Sequence, residues 1–243
     1  MADLIDTTEM YLRTIYELME EGIAPLRARI AERLEHSGPT VSQTVARMER
    51  DGLLHVAPDR RLELTEEGLN AAATVMRKHR LAERLLADVI GLDWAFVHEE
   101  ACRWEHVMSD QVEQRLMVLL DSPSNSPFGN QIPLLEELGG PTTGLHPRPY
   151  EGQPLTVALQ EAGTYEVKVL TEAIQTDPDL LAQFAAAGIQ PGAILAAEPA
   201  EGYVAVRTVE RGTALPGEFE DISELGLEIS EDTAAHVRVV RVR

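Results

Sequence analysis

His98, Cys102, Glu105 and His106 recur at i, i+4, i+7 and i+8, and only an α-helix brings residues at that spacing onto one side. His79 and Glu83, four apart on the preceding stretch, form a second such pair. Gly91-Leu92-Asp93 breaks the helical pattern between them, and Asp93 can cap the helix that follows. Two helices joined by a short turn can bring the two stripes face to face. Singly, each residue has an ordinary explanation: a solvated histidine, a small buried cysteine, a surface glutamate. Six in register on adjacent helices point to a metal site. Imidazole and carboxylate suit borderline divalent ions such as iron, nickel, cobalt or zinc, and a thiolate softens the set. A structural zinc site would prefer several cysteines, and no His-Glu-x-x-His motif of a metalloprotease is present.

The segment before this stripe carries a different pattern. Met10, Tyr11, Thr14, Ile15 and Leu18 lie at helical spacing over about Thr7 to Glu21, with Asp6 or Thr7 as cap and Gly22 as terminator. Leu26 to Leu34 predicts a short second helix. Ser37-Gly38-Pro39-Thr40 reads as a turn and helix start, and Val41, Val45 and Met48 form the buried face of a third helix closed by Asp51-Gly52. Leu53 to Leu64 reads as two short strands around a Pro-Asp turn, and Thr65-Glu66-Glu67-Gly68 opens a long helix. This order predicts a winged helix-turn-helix. Ser37, Thr40, Ser42, Gln43, Thr44 and Arg47 cluster at the start of the third helix, where base edges are read. Arg27, Arg47, Arg50 and Arg60 are placed for phosphate.

Charge needs local reading. The net charge of -20 opposes nucleic acid. Between Leu26 and Arg61, however, Arg27, Arg29, Arg33, Arg47, Arg50, Arg60 and Arg61 outnumber Glu32, Glu35, Glu49, Asp51 and Asp59, so this segment is net basic. Residues 151–243, by contrast, carry 16 Asp/Glu against 6 Lys/Arg, a net of -10. No apolar run is long enough to span a membrane, and the start, Met1 to Asp6, lacks the regions of a signal peptide. A cytoplasmic setting is expected, where Cys102, the single cysteine, stays reduced.

Beyond Ser109-Asp110, which should cap the next helix, residues Asp121 to Gly152 are rich in Pro, Gly, Ser and Thr, a linker anchored by Leu134, Leu135 and Leu138 in a short helix. After Pro154 the texture turns to β. Strands are expected at Leu155–Leu159, Thr164–Leu170, Ile194–Ala197, Tyr203–Arg207 and His236–Val242, with a helix over Asp177–Gly188. A small SH3-like β-barrel is the natural guess. The chain is thus expected to be α+β: a winged helix-turn-helix over 1–73, a helical metal-binding and dimerisation domain over 74–140, a Pro/Gly-rich linker over 141–153 and an SH3-like domain over 154–243.

Long runs resemble one family. Asp6-Thr7-Thr8-Glu9-Met10-Tyr11-Leu12-Arg13-Thr14-Ile15, Gly38-Pro39-Thr40-Val41-Ser42-Gln43-Thr44-Val45, the stretch Met76 to Leu86, Glu100-Ala101-Cys102-Arg103-Trp104-Glu105-His106-Val107-Met108-Ser109 and Ser126-Pro127-Phe128-Gly129-Asn130 are similar to the diphtheria-toxin-repressor family of iron-dependent regulators, in its iron-sensing actinobacterial branch. The resemblance is close from about Asp6 to Pro133 and weaker beyond Tyr150. It implies a metal-activated repressor, not an enzyme, that binds operator double-stranded DNA as a homodimer, with one or two dimers per operator. It implies two ferrous-iron sites per subunit, which Mn2+, Co2+, Ni2+ or Zn2+ can also fill. One would use His79, Glu83 and His98 with Glu172 and Gln175; the other, Met10, Cys102, Glu105 and His106. An anion would meet Arg80, Ser126 and Asn130. Ser37, Pro39, Thr40 and Gln43 would lie near bases, and Arg27, Ser42, Arg47, Arg50 and Arg60 at phosphates. From the residues alone, Glu172 and Gln175 read as surface positions.

The stretch Gly212 to Glu231 is longer and more acidic than that family's usual C-terminal barrel. A manganese-sensing branch tends to lack the equivalent of Cys102 and often the third domain; this chain has both, which favours iron. A non-haem metalloprotein is the rival reading. An enzyme would need an open coordination position and a substrate pocket, and no nucleophile–base pair or cofactor loop stands out. A storage protein would have no use for Gln43. An adaptor role for the barrel, with Pro141 to Pro154 as a neighbouring proline-rich segment, ranks below these.

Overall fold

The computed structural model describes residues 7–209 and 226–242. The stretch 212–225 of the acidic segment discussed above lies outside the described residues. The chain divides into two compact units: Met1–Ile90 with Glu99–Ser126 and Gln131–Pro149, and Gly91–His98 with Pro127–Asn130 and Tyr150–Arg243.

In the first unit, α1 (Thr7–Glu20) buries Tyr11, Leu12, Ile15 and Leu18, one stripe of a helix of ordinary period. It ends in a left-handed residue, Gly22, and the Ile23 N–H reaches back to the Leu18 carbonyl, the usual way of satisfying terminal carbonyls. Helices α2 (Arg27–Leu34) and α3 (Gly38–Arg50) follow. The Ser37 hydroxyl accepts the Thr40 N–H at 3.3 Å, and Pro39 sits in the first turn, so α3 is capped by its own sequence. Val41, Thr44, Val45 and Met48 are buried on one side of α3.

The wing is a hairpin of β1 (Leu54–Val56) and β2 (Leu62–Leu64), registered Leu54 to Leu64. Arg60 occupies its tip in the left-handed region. The Thr65 hydroxyl accepts the Gly68 N–H and donates to the Gly52 carbonyl. It thereby caps α4 (Glu66–Arg84) and ties that helix to the hairpin base. A Cβ at Gly68 would fall 1.8 Å from the Leu53 carbonyl oxygen, so α4 approaches the hairpin closely only because this residue is glycine.

α4 runs on into a π-helical turn, Leu85–Ile90, a widening that periodicity does not announce. Helix α5 (Trp94–Trp104) starts where Asp93 accepts the Ala95 N–H. Helix α6 (Asp110–Leu119) starts at Ser109, whose carbonyl accepts the Val112 and Glu113 N–H groups while its hydroxyl makes no cap bond. Arg77, buried on α4, binds Glu113 of α6, Glu137 and the Leu134 carbonyl. The proline-, glycine- and threonine-rich stretch is well anchored in this unit. Leu135–Leu138 forms a 3-10 turn, and the Glu136 carboxylate accepts the Thr143 and Gly144 N–H groups.

The second unit is built on a six-stranded antiparallel sheet in the order β3-β8-β4-β5-β6-β7. The strands are β3 (Gln153–Pro154), β4 (Gly163–Leu170), β5 (Ile194–Ala200), β6 (Tyr203–Val209), β7 (Leu227–Ser230) and β8 (Val237–Arg241). Leu155–Ala158, expected as a strand, is instead helix α7. The β-branched Thr156 and Val157 suggest a strand, but burial follows a helical spacing: Leu155, Ala158 and Leu159 are inside and Val157 is exposed. Three more helices, α8 (Glu172–Gln175), α9 (Pro178–Ala186) and α10 (Glu231–Ala235), decorate the sheet. β4 carries a bulge between Val167 and Val169. Gly129 lies against it with φ +91°, where a Cβ would fall 2.0 Å from the Lys168 carbonyl oxygen.

Candidate metal centre and nucleic-acid face

Within the first unit, His79 and Glu83 project from the same side of α4, and His79 Nε2 lies 2.9 Å from Glu83 Oε1. The other ring nitrogen, Nδ1, lies 2.7 Å from Glu105 Oε2. Glu105 and His106 follow α5 directly, with the Glu105 N–H still bonded to the Ala101 carbonyl, so the helical spacing read from the sequence persists one step past the helix end. His106 Nε2 is 3.4 Å from Glu105 Oε1, and its Nδ1 is 2.5 Å from Glu9 Oε2 of α1. Arg13, also on α1, places Nη1 at 2.9 Å from Cys102 Sγ, 3.1 Å from Glu105 Oε2 and 3.2 Å from His79 Nδ1.

The cluster is dry. His79, Glu83 and Glu105 are each no more than 2% exposed, a setting in which a charge is costly unless paired. Burial pulls the His79 pKa down, but the Glu83 charge and the hydrogen bonds the ring makes to Cys102, Glu105 and Glu83 outweigh it and hold the pKa well above its ordinary value. Burial would raise the Glu105 pKa, but Arg13 and His79, with His106, lower it. Glu105 Oε1 is buried and accepts no hydrogen bond. A carboxylate oxygen in that condition, beside imidazole and thiol donors, fits a borderline divalent cation by ligand type and by need.

Of the nine residues expected at metal, His79, Glu83, Cys102, Glu105 and His106 share this cluster. Met10 is half-buried on α1, three residues before Arg13, with its carbonyl accepting the Thr14 hydroxyl. What α1 brings to the donors is Glu9 and Arg13, which the sequence reading did not single out. No local signal marks them, since their partners lie 66 to 97 residues away. In the second unit, His98 Nε2 lies 3.1 Å from Glu172 Oε1. Gln175 donates to Asn130 Oδ1 and the Leu170 carbonyl. Glu172 and Gln175 are buried, a correction to their reading as surface positions from the residues alone: the chain turns into α8 right after β4, and this short helix holds them inward.

Arg80, expected at an anion, is buried and gives both terminal nitrogens to the Glu20 carboxylate, at 2.9 and 2.6 Å, with one also meeting the Gln131 carbonyl. Ser126 and Asn130 are likewise buried, one in each unit.

The nucleic-acid face is the mirror image of this interior. Ser37, Pro39, Thr40, Ser42, Gln43, Arg47 and Arg50 are all exposed, on the side of α3 opposite its buried residues. Thr44, counted with the polar group in the sequence, faces the core instead. Arg60 is exposed at the wing tip and Arg27 is half-buried at the start of α2. Arg47 donates to Thr8 of α1 at 3.2 Å.

An exposed, polar, well-capped third helix and a wing define a winged-helix DNA-binding head, and the dry donor cluster defines a metal-binding body. Residues 3–62 match the iron-dependent repressor N-terminal DNA-binding domain, and residues 65–134 match the iron-dependent repressor metal-binding and dimerisation domain. The chain is 57% identical over 226 residues to the iron-dependent repressor IdeR of Mycobacterium tuberculosis, covering 90% of this chain and 96% of that one. It is 59% identical over 197 residues to the diphtheria toxin repressor of Corynebacterium glutamicum, covering 79% and 83%. Among solved structures, a manganese-dependent transcriptional repressor in complex with manganese superposes with a TM-score of 0.75 at 26% identity, covering 97% of this chain and all of that one. The chain belongs to the iron-dependent repressor family, whose members are DNA-binding regulators rather than enzymes. Among the described residues, no helix is long and apolar enough to cross a membrane.

Proposed function

We propose that this protein is a cytoplasmic repressor, switched on by ferrous iron, that binds operator DNA as a homodimer. The observation that carries the reading is the convergence of His79, Glu83, Cys102, Glu105 and His106 in one dry cluster that α1 also enters. Iron is preferred over manganese because the set includes the Cys102 thiol, a softer donor than manganese favours, and because the relatives at 57% identity are iron-dependent. We assign two iron sites per subunit, one to Met10, Cys102, Glu105 and His106 and one to His79, Glu83 and His98 with Glu172 and Gln175. When bound, the metal would supply a cation that the buried carboxylates, the imidazoles and the Cys102 sulfur can coordinate directly.

The chain's own residues do the rest. α1 brings Glu9 and Arg13 to the metal donors and packs along α4 and against α2 and α3, so a change in how α1 is held reaches the DNA-reading helix. Gln43 and Thr40 are offered to base edges, and Arg47, Arg50 and Arg60 to phosphates. Val112, Val118 and Leu119, exposed on α6, give the dimerisation domain apolar surface to bury. Whether one or two dimers load an operator follows from the stoichiometry of the complex.

Anaerobic anisotropy titration of a palindromic operator, with and without Fe2+ and then with Mn2+, tests the reading. Binding that needs iron and is lost in both Cys102→Ala and Gln43→Ala is the expected result. Equal binding of the wild-type protein in the absence of any metal would overturn it.

A further inference from the structure

At the point where the donors of the cluster converge there is already a cation, and it belongs to the chain. A single guanidinium nitrogen, Arg13 Nη1, lies within 3.2 Å of a thiol sulfur, a carboxylate oxygen and an imidazole nitrogen, those of Cys102, Glu105 and His79. The Cys102 sulfur and the Glu105 carboxylate are donors that a divalent metal in the Met10, Cys102, Glu105 and His106 site would take. Arginine is always charged and has no lone pair to give, so it cannot be a ligand there; it can only occupy the donors. We propose that Arg13 is a built-in competitor of the metal, whose hold on Cys102 and Glu105 sets the metal concentration at which the protein responds. The proposal rests on the reading that these residues hold metal.

Two features make the exchange workable. Arg13 Nε lies 3.1 Å from Glu17 Oε1, one turn along the same helix, so a guanidinium pushed off the donors retains a carboxylate partner. A metal taking its place would repel it at short range in a medium of low dielectric, which drives the exchange to completion rather than to a shared state. Arg13 also lies four residues after Glu9, which meets His106, so the competing cation sits on the helix that packs against α2 and α3.

Co2+ titration of the metal-free, full-length protein tests this. Thiolate-to-cobalt charge-transfer absorption reports occupancy at Cys102, and thermal melting without metal reports the cost of losing the internal cation. Arg13→Gln is expected to melt lower without metal yet bind Co2+ on the order of tenfold more tightly, the equivalent of about one charge-assisted hydrogen bond of competition removed. Arg13→Lys should fall between it and wild type, and it decides the matter by the same measure if Arg13→Gln does not fold. A merely structural arginine would lower the melting temperature and leave Co2+ affinity unchanged or weaker, and that result overturns the proposal. A thiolate band in the wild-type protein with no gain in the variants sinks only the role of Arg13. No such band in any of the three proteins sinks the metal reading along with it.

Discussion

The arginines of the first unit fall into two populations that look alike in the sequence and behave in opposite ways. Arg47, Arg50 and Arg60 are exposed on the DNA-reading side. Arg77 and Arg80 are buried to 4% and 2% exposure, each against a carboxylate from a distant helix. The first group keeps its charge for a partner outside the chain. In the second group the charge is consumed internally, joining α4 to α6 and α1 to α4. Among these arginines, charge is offered outward where it is solvated and is architectural where it is dry, with Arg13 on the border between the two.

The sharpest way to break that contrast is to remove a buried member. Arg77→Ala strands the Glu113 carboxylate, which is fully buried, and should cost about 3–5 kcal/mol in chemical denaturation. A loss of only a few tenths would place Arg77 with the surface group. On the exposed side the expected effects are on binding and not on folding. Gln43→Ala should cost about 1–3 kcal/mol against the preferred operator base and relax selectivity there. Arg50→Ala should weaken all sequences alike and lower the salt dependence by about one ion; a base-selective effect of Arg50→Ala would reverse the two assignments. Ser37→Ala, which removes the α3 cap, should lower stability by about 1 kcal/mol, visible as a small shift in the denaturation midpoint.

The pH response sharpens the comparison further. The His79 pKa is held well above 6.5 in the folded, metal-free protein. Its contribution to stability is therefore full below that unfolded value and is lost as pH rises through the raised folded value. Melting of the metal-free protein should fall on the alkaline side, and His79→Gln should flatten that limb. An unchanged alkaline limb in the variant would show that His79 is not the group responsible. Metal requires the neutral imidazole, so metal affinity should rise over the same range.

How much of this was legible in the residues depends on the distance over which a cause acts. Helical spacing placed His79 with Glu83 and Cys102 with Glu105 and His106, because the α-helical repeat alone decides which side a residue faces. The start of α3 at Ser37, the Thr65 cap and the wing hairpin were legible because capping and turn chemistry also act over a few residues. Leu155–Ala158 was misread as a strand: β-branching is a weak local preference, and packing of Leu155 and Ala158 overrode it. Glu172 and Gln175 read as surface residues because nothing in a four-residue segment tells whether its polar groups will be covered.

The sequence by itself determined the local order of helices and wing, the spacing of the donors, the polar face of α3 and the basic balance of the head. The tertiary structure decided which charges meet. Glu20 finds Arg80 across 60 residues, Glu113 finds Arg77 across 36 and Arg13 finds Cys102 across 89. Such pairings cannot be read locally, because the free energy that selects them is the cost of leaving a charge dry without a partner. That cost arises only when the helices pack and exclude water.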